Sequence, residues 1–262
     1  MSAPEQPLRH LIDTHCHLDV EDFASDREAV LGRARAAGVA GIVVPAIHAA
    51  GWAGLIALCE GASDLYPALG LHPIYLAQHR DAHISALERA LADVQPVAIG
   101  EIGLDYFVRD LDRDRQQALF EAQLAVAAAA GLPVLLHVRK AHDQALATLR
   151  RIPVCGGVAH AFSGSLQQAH QYIGLGFKLG FGGMLTFDRS SKLRALETDL
   201  PLEAMVLETD APDLTVASHR GERNSPEYLP EVLAALAEVR QDDPARVAAQ
   251  TTRNARKLLR LD

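Results

Sequence analysis

Apolar and polar positions along the chain follow two alternating periods. Short runs rich in Val, Ile and Leu read as buried strands: Leu11–Leu18, Gly41–Ile47, Tyr66–His72, Pro96–Leu104, Pro133–Val138, Gly156–Phe162, Lys178–Met184 and Ala204–Thr209. Between them lie Ala/Leu-rich segments with charges at helical spacing, among them Asp26–Ala37, Ser85–Val94, Asp112–Ala130, Ala141–Arg151 and Ser165–Leu175. Two further helices are expected around Glu227–Arg240 and Pro244–Leu259. Gly38, Gly131 and Gly176 follow helical runs and suit left-handed helix ends. Ser225-Pro226-Glu227 reads as an N-cap followed by proline in the first turn. Eight strand–helix units without a linker or low-complexity tract predict an α/β fold, a closed (β/α)8 TIM barrel formed as one domain over residues 1–262. A doubly wound open sheet would show a glycine-rich turn after an early strand. The residues from His15 to Phe23 contain no glycine.

Composition narrows the class. An apolar fraction of 49% in 262 residues is enough for a sizeable core and excludes a disordered chain. The net charge of −8 argues against a surface coated in basic charge, though not against a local basic patch. Met1–His10 has no apolar segment of the kind a secretory signal needs. The longest apolar stretch, Leu124–Val138, is broken by Gly131 and Pro133 and is too short for a membrane span. Cys16, Cys59 and Cys155 are odd in number and far apart, which suggests reduced thiols in a cytoplasmic protein. The count that stands out is 12 histidines.

Several of those histidines fall at strand ends. Strand side chains alternate, so Asp13, His15 and His17 share one face. Glu101 stands at the end of the fourth strand, His137 of the fifth, His160 of the sixth, and Glu208 and Asp210 of the eighth. A lone histidine there is more often a hydrogen-bonded structural residue. Five strand ends with ligand-type residues, converging on one barrel face, make a chance arrangement a poor explanation. His15, His17, Glu101, His137, His160 and Asp210 suit two divalent ions a few Å apart. Glu101 would bridge, with His15, His17 and Asp210 on one ion and His137 and His160 on the other. Imidazole and carboxylate without thiolate suit Zn²⁺, Mn²⁺, Fe²⁺ or Co²⁺, and Mg²⁺ less well. None of the four lysines, Lys140, Lys178, Lys192 and Lys257, stands at the fourth-strand end, which disfavours a bridge made by a carboxylated lysine.

Six ordered motifs covering nearly the whole chain carry a family resemblance. They are Asp13–Leu18, Gly70-Leu71-His72-Pro73, Gly100–Tyr106, His137, His160–Gly164 and Leu207–Pro212. The chain resembles the TatD-type metal-dependent hydrolases, deoxyribonucleases of the amidohydrolase-like superfamily, and within them the YjjV-like branch. The resemblance implies a TIM-like barrel, two or at most three divalent ions (Zn²⁺, Mn²⁺ or Mg²⁺), and phosphodiester hydrolysis on DNA. It also implies the six ligands named above. The loop His219–Pro226 fits the family less strictly, although Asn224 near Pro226 agrees with it.

The expected chemistry is attack of an activated water on phosphorus, with catalytic roles for Asp210, Glu101 and Glu208. Asp210 would act as ligand and general base. Glu208 and Asp13 would orient a ligand or water, or serve as buried hydrogen-bond partners. His72, Arg139, Arg223 and Asn224 are the expected substrate contacts, with Lys140 and His142 on the same rim. Tyr106 and Phe107 could stack on bases, whereas Trp52 is better explained by packing. The expected partner is single-stranded DNA, cleaved 3′→5′, by a monomer or weak oligomer that does not bind membranes. The alternative is an amidohydrolase-type enzyme acting on an ester or C–N bond of a small molecule or aminoacyl-tRNA. A non-catalytic metal-binding protein would not need so complete a ligand set.

Overall fold

The computed structural model describes residues 10–261. The stretch 1–9, in which no secretory signal is expected, lies outside the described residues. Eight parallel strands run in sequence order around one sheet. They are β1 Leu11–Asp13, β2 Val39–Pro45, β3 Leu65–Leu69, β4 Ala98–Asp105, β5 Val134–Arg139, β6 Gly157–Ala159, β7 Phe177–Phe181 and β8 Met205–Leu207. The surrounding helices are α1 Arg27–Ala36, α2 Trp52–Glu60, α3 Ala82–Asp93, α4 Arg113–Ala130, α5 His142–Arg151, α6 Leu166–Gly174, α7 Ser191–Asp199, α8 Leu229–Arg240 and α9 Pro244–Leu259. This is the TIM barrel expected from the pattern.

The seam between β8 and β1 closes where the functional residues lie. The Thr14 amide and hydroxyl both donate to the Leu207 carbonyl at 3.0 Å, and the Asp210 amide donates to the His15 carbonyl at 2.8 Å. Asp13 completes the closure. Its carboxylate accepts from the amides of His15 (3.1 Å) and Thr209 (3.0 Å) and from the Thr209 hydroxyl (2.6 Å). β1 ends at Asp13 rather than Leu18, although the Cys16 amide still donates to the Val43 carbonyl of β2 at 3.1 Å. His15 and His17 therefore sit in the loop that follows the strand.

Two apolar clusters build the scaffold. One lies on the strand face that also carries Leu135 and Val158, and takes Ile12, Val43, Ala68, Ala98, Leu135, Val158 and Val206 from seven strands. Ala255 and Leu259 of α9, with Leu261, pack against them. The other packs strand residues such as Val44, Leu69, Leu104, Leu136 and Leu179 against helical Leu31, Leu87, Phe120, Leu146 and Leu233. Helix ends follow the expected chemistry: Gly38, Gly131 and Gly176 have φ of +97°, +63° and +85°. Ser225 precedes a short 3-10 turn, Pro226–Tyr228, but its hydroxyl makes no cap bond, in contrast to the expectation. Among the described residues no helix is long and apolar enough to cross a membrane.

Leu259 is 1% exposed and joins α9 to the strand cluster. Leu259→Ala should lower the unfolding free energy by about 2–5 kcal/mol, read from a urea titration. A loss well below that range would mean that α9 does not seal the cluster.

Candidate metal centre

The β4 ladder to β5 shifts register between Ile99 and Ile102. Strict alternation from Ala98 would point Ile102 to the same face and Glu101 to the other. The irregularity instead brings Glu101 into the histidine cluster and Ile102 into the outer core. Glu101 is 1% exposed, and its two oxygens face different groups. Oε2 lies 3.0 Å from His15 Nε2 and 3.3 Å from His17 Nε2. Asp210 Oδ1 lies 3.8 Å from both of those nitrogens. Oε1 lies 2.9 Å from His137 Nδ1, 3.3 Å from His72 Nε2 and 3.4 Å from His160 Nε2.

The outer neighbours set which ring nitrogen presents a lone pair. The Pro45 carbonyl, 3.2 Å from His17 Nδ1, takes its proton and leaves Nε2 free toward Glu101. Asp105 Oδ2, 3.0 Å from His137 Nε2, does the same for His137 and leaves Nδ1 free. Glu208 Oε1 faces His160 Nδ1 at 3.3 Å and accepts the Ala161 amide at 2.5 Å. Glu208 fits because β7 offers Gly180 there; a Cβ on Gly180 would lie 2.0 Å from Glu208 Oε2. His72 is different. The Ile74 amide donates to its Nδ1 at 3.2 Å, so the neutral ring carries its proton on Nε2.

Three groups in this cluster bring ligand atoms within 4.8 Å of one another: His15 with Glu101 and His160, His15 with His17 and Asp210, and His72 with Glu101 and His137. The donor set fits divalent cations. His15 Nε2 and His17 Nε2 stand 3.3 Å apart with a carboxylate oxygen beside both, an arrangement that a proton on His17 satisfies and that a divalent cation would satisfy in its place. The third group fits less well, because the Nε2–H of His72 is a donor.

Electrostatics agree with a cation site. Burial opposes ionisation of Glu101, yet His72, His15 and His160 hold its carboxyl well below the usual range. Burial also opposes charge on His17 and His160. Glu101, with Asp210, nevertheless raises His17 to about 9, and Asp210, Glu101 and Glu208 raise His160 to about 10. His15 is lowered by burial and by His160, and burial takes His72 down to about 4. Burial raises Asp210 to about 6 and Asp13 to about 7.

The structure thus brings His15, His17, Glu101, His137, His160 and Asp210 together, and adds His72 to them. Glu208 lies behind His160, and Asp13 lies in the β1–β8 seam. Arg139 ends β5 at the rim, exposed, with its guanidinium over Phe107. Arg223 and Asn224 are engaged elsewhere. Arg223 binds both oxygens of Asp26 (2.9 and 2.7 Å) and stacks on Phe23. Asn224 donates to the carbonyls of Thr209 and Asp213 and braces the loop after β8. His142 Nδ1 lies 3.3 Å from the Tyr172 hydroxyl, and the Trp52 indole donates to the Gly70 carbonyl at 3.1 Å. Asp105 and Gly180 went unrecognised in the sequence. The place of Asp105 in the motif Gly100–Tyr106, four residues after Glu101, is the signal that could have found it.

Fold and cluster together define a metal-dependent hydrolase built on a (β/α)8 barrel. A family model described as "TatD related DNase" matches residues 12–260, and the chain belongs to that family. It is 46% identical over 247 residues to the "Uncharacterized metal-dependent hydrolase YjjV" of Escherichia coli (strain K12), covering 93% of this chain and 95% of that one. The crystal structure of YJJV, a TATD homolog from Escherichia coli K12, superposes with a TM-score of 0.94 at 43% identity, over 97% of this chain and 100% of that one. The "3'-5' ssDNA/RNA exonuclease TatD" of Erwinia tasmaniensis is 34% identical, over 96% of this chain and 100% of its own length. A dihydropyrimidinase from Brevibacillus agri, with a TM-score of 0.67 at 11% identity over 96% of this chain and 70% of that one, shares the fold.

Imidazoles that hold protons at neutral pH must release them to bind a cation. Binding of Zn²⁺ or Mn²⁺ to metal-stripped protein should therefore release at least one proton per chain. Affinity should fall as pH drops from about 8 to about 6. Calorimetric titration in buffers of differing ionisation enthalpy checks this, and heats independent of buffer would contradict it.

Proposed function

We propose that the protein is a divalent-metal-dependent nuclease that hydrolyses phosphodiester bonds of single-stranded nucleic acid, as a 3′→5′ exonuclease on DNA. The observation that carries this reading is the double-sided histidine environment of Glu101, set inside a rim of exposed stacking and cationic side chains. The exposed large hydrophobic side chains among the described residues all follow the C-terminal end of a strand: Phe107 and Leu214 in loops, Ile74, Tyr75 and Met184 in short 3-10 turns, and Leu166 at the first residue of α6. Arginines stack on aromatic rings at the same face, in the pairs Arg113–Tyr106, Arg139–Phe107 and Arg189–Phe187. Aromatic and guanidinium planes suit unpaired bases, whereas a duplex calls for an extended basic face that a chain of charge −8 lacks. The Erwinia tasmaniensis relative carries the name of an exonuclease acting 3′-5′ on single-stranded DNA and RNA, which supports both direction and strandedness.

In this reading His15, His17, Asp210 and Glu101 would hold one divalent ion, and Glu101, His137 and His160 a second; such ions would supply polarisation of a phosphoryl oxygen and a more acidic water. The protein's own side chains do the rest. Asp210, raised by burial to about 6, is ionised at neutral pH and accepts a proton from the attacking water. Asp105 fixes the ring of His137, and Glu208 lies beside the outer nitrogen of His160. The Nε2–H of His72 faces Glu101 Oε1 at 3.3 Å and helps to hold that carboxylate in place.

Digestion of an end-labelled single-stranded oligonucleotide with Mg²⁺, Mn²⁺ or Zn²⁺ tests the reading. Asp210→Asn should retain its fold and lower kcat by about 10²–10⁴-fold. No cleavage with any of the three ions, or near-wild-type turnover by Asp210→Asn, would contradict it.

A further inference from the structure

We infer that the stacked pair of Arg139 and Phe107 is a subsite for the nucleotide unit next to the scissile bond: the base adds to the stack and its phosphate takes the guanidinium edge. The inference rests on the nuclease reading and deepens it.

Three observations carry it. The guanidinium carbon of Arg139 lies 3.7 Å from the centroid of the Phe107 ring, and Phe107 is 53% exposed. Both members therefore keep surface open to a further planar group. No carboxylate pairs this guanidinium among the described residues, whereas Arg35, Arg115, Arg151 and Arg223 each bind one. Its N–H edge is accordingly open to the bidentate acceptor geometry of a phosphate.

The third observation is how the pair is anchored. Asp105 Oδ1 accepts the amides of Phe107 (2.8 Å) and Val108 (3.0 Å), while its Oδ2 faces His137 Nε2 at 3.0 Å. The Tyr106 amide donates to the Arg139 carbonyl at 2.8 Å. One carboxylate thus holds both the loop carrying Phe107 and the ring that faces Glu101. A base on this stack has its register set relative to the cluster before it binds, which lowers the ordering cost of binding. Asp105 is a positioning residue for the subsite.

The test compares a single-stranded hexathymidylate with the same oligomer carrying one abasic unit next to the terminal nucleotide. Binding is measured by fluorescence anisotropy on metal-loaded protein in an Asp210→Asn background, and turnover on the otherwise unaltered enzyme. Phe107→Ala should weaken binding of the intact oligomer by about 5- to 100-fold and leave the abasic oligomer within about 2-fold. Phe107→Trp should restore the intact oligomer. In turnover, Phe107→Ala should raise KM with kcat nearly unchanged. Equal weakening of both oligomers, weakening of neither, or no oligomer binding by the parent protein would overturn the subsite. Binding that follows the expected pattern with no cleavage by the unaltered enzyme would overturn the nuclease reading and leave the subsite standing.

Discussion

An ionised carboxylate almost wholly withdrawn from water is the constraint on which the rest of this protein depends. Glu101 is unfavourable in a barrel interior unless positive charge surrounds it. The chain surrounds it with imidazoles from four different loops and strands, of which His17, His137 and His160 are the ones raised towards the charged form, and each must reach the same point. That convergence calls for a scaffold in which strand ends meet at one place. The (β/α)8 barrel supplies it, with an apolar strand cluster sealed by α9 and a polar upper half.

Holding the imidazoles in place requires a second ring of contacts. Pro45 and Asp105 each hold the outer nitrogen of a histidine and turn its other nitrogen inward, and Glu208 lies 3.3 Å from the outer nitrogen of His160. Asp13 touches no imidazole of the cluster; its carboxylate holds the backbone amide of His15 and the amide and hydroxyl of Thr209. It closes the β8–β1 seam, where a shift would move His15 relative to Asp210. These buried groups therefore link fold stability to the geometry of the site. The cluster has a large appetite for positive charge, which protons satisfy on His17 and His160 and which a divalent cation would satisfy in their place.

Much of this is legible in the sequence. Strands buried on both faces read as continuous apolar runs, so all eight are visible. Ligand-type residues stand out at their ends because their neighbours are apolar. The strand limits are less visible: the run Leu11–Leu18 looks like one strand, whereas the ladder ends at Asp13 and Thr14 and His15 bond across the seam to Leu207 and Asp210. The inward turn of Glu101 depends on a register shift that alternation cannot reveal. Asp105 and Gly180 act across strands, on His137 and Glu208, and carry no periodic signal. Arg223 and Asn224 look like free polar loop residues until Asp26 and the Thr209 and Asp213 carbonyls are seen to engage them.

The link between the two halves of the cluster is the claim most open to direct measurement. Glu101→Gln keeps the shape of the side chain and removes the charge that both halves share. Metal content per folded chain, measured by plasma mass spectrometry after loading with Zn²⁺ or Mn²⁺ and desalting, should fall from two ions to well under one. A folded Glu101→Gln protein that still holds two ions with wild-type affinity would contradict a bridging role for Glu101.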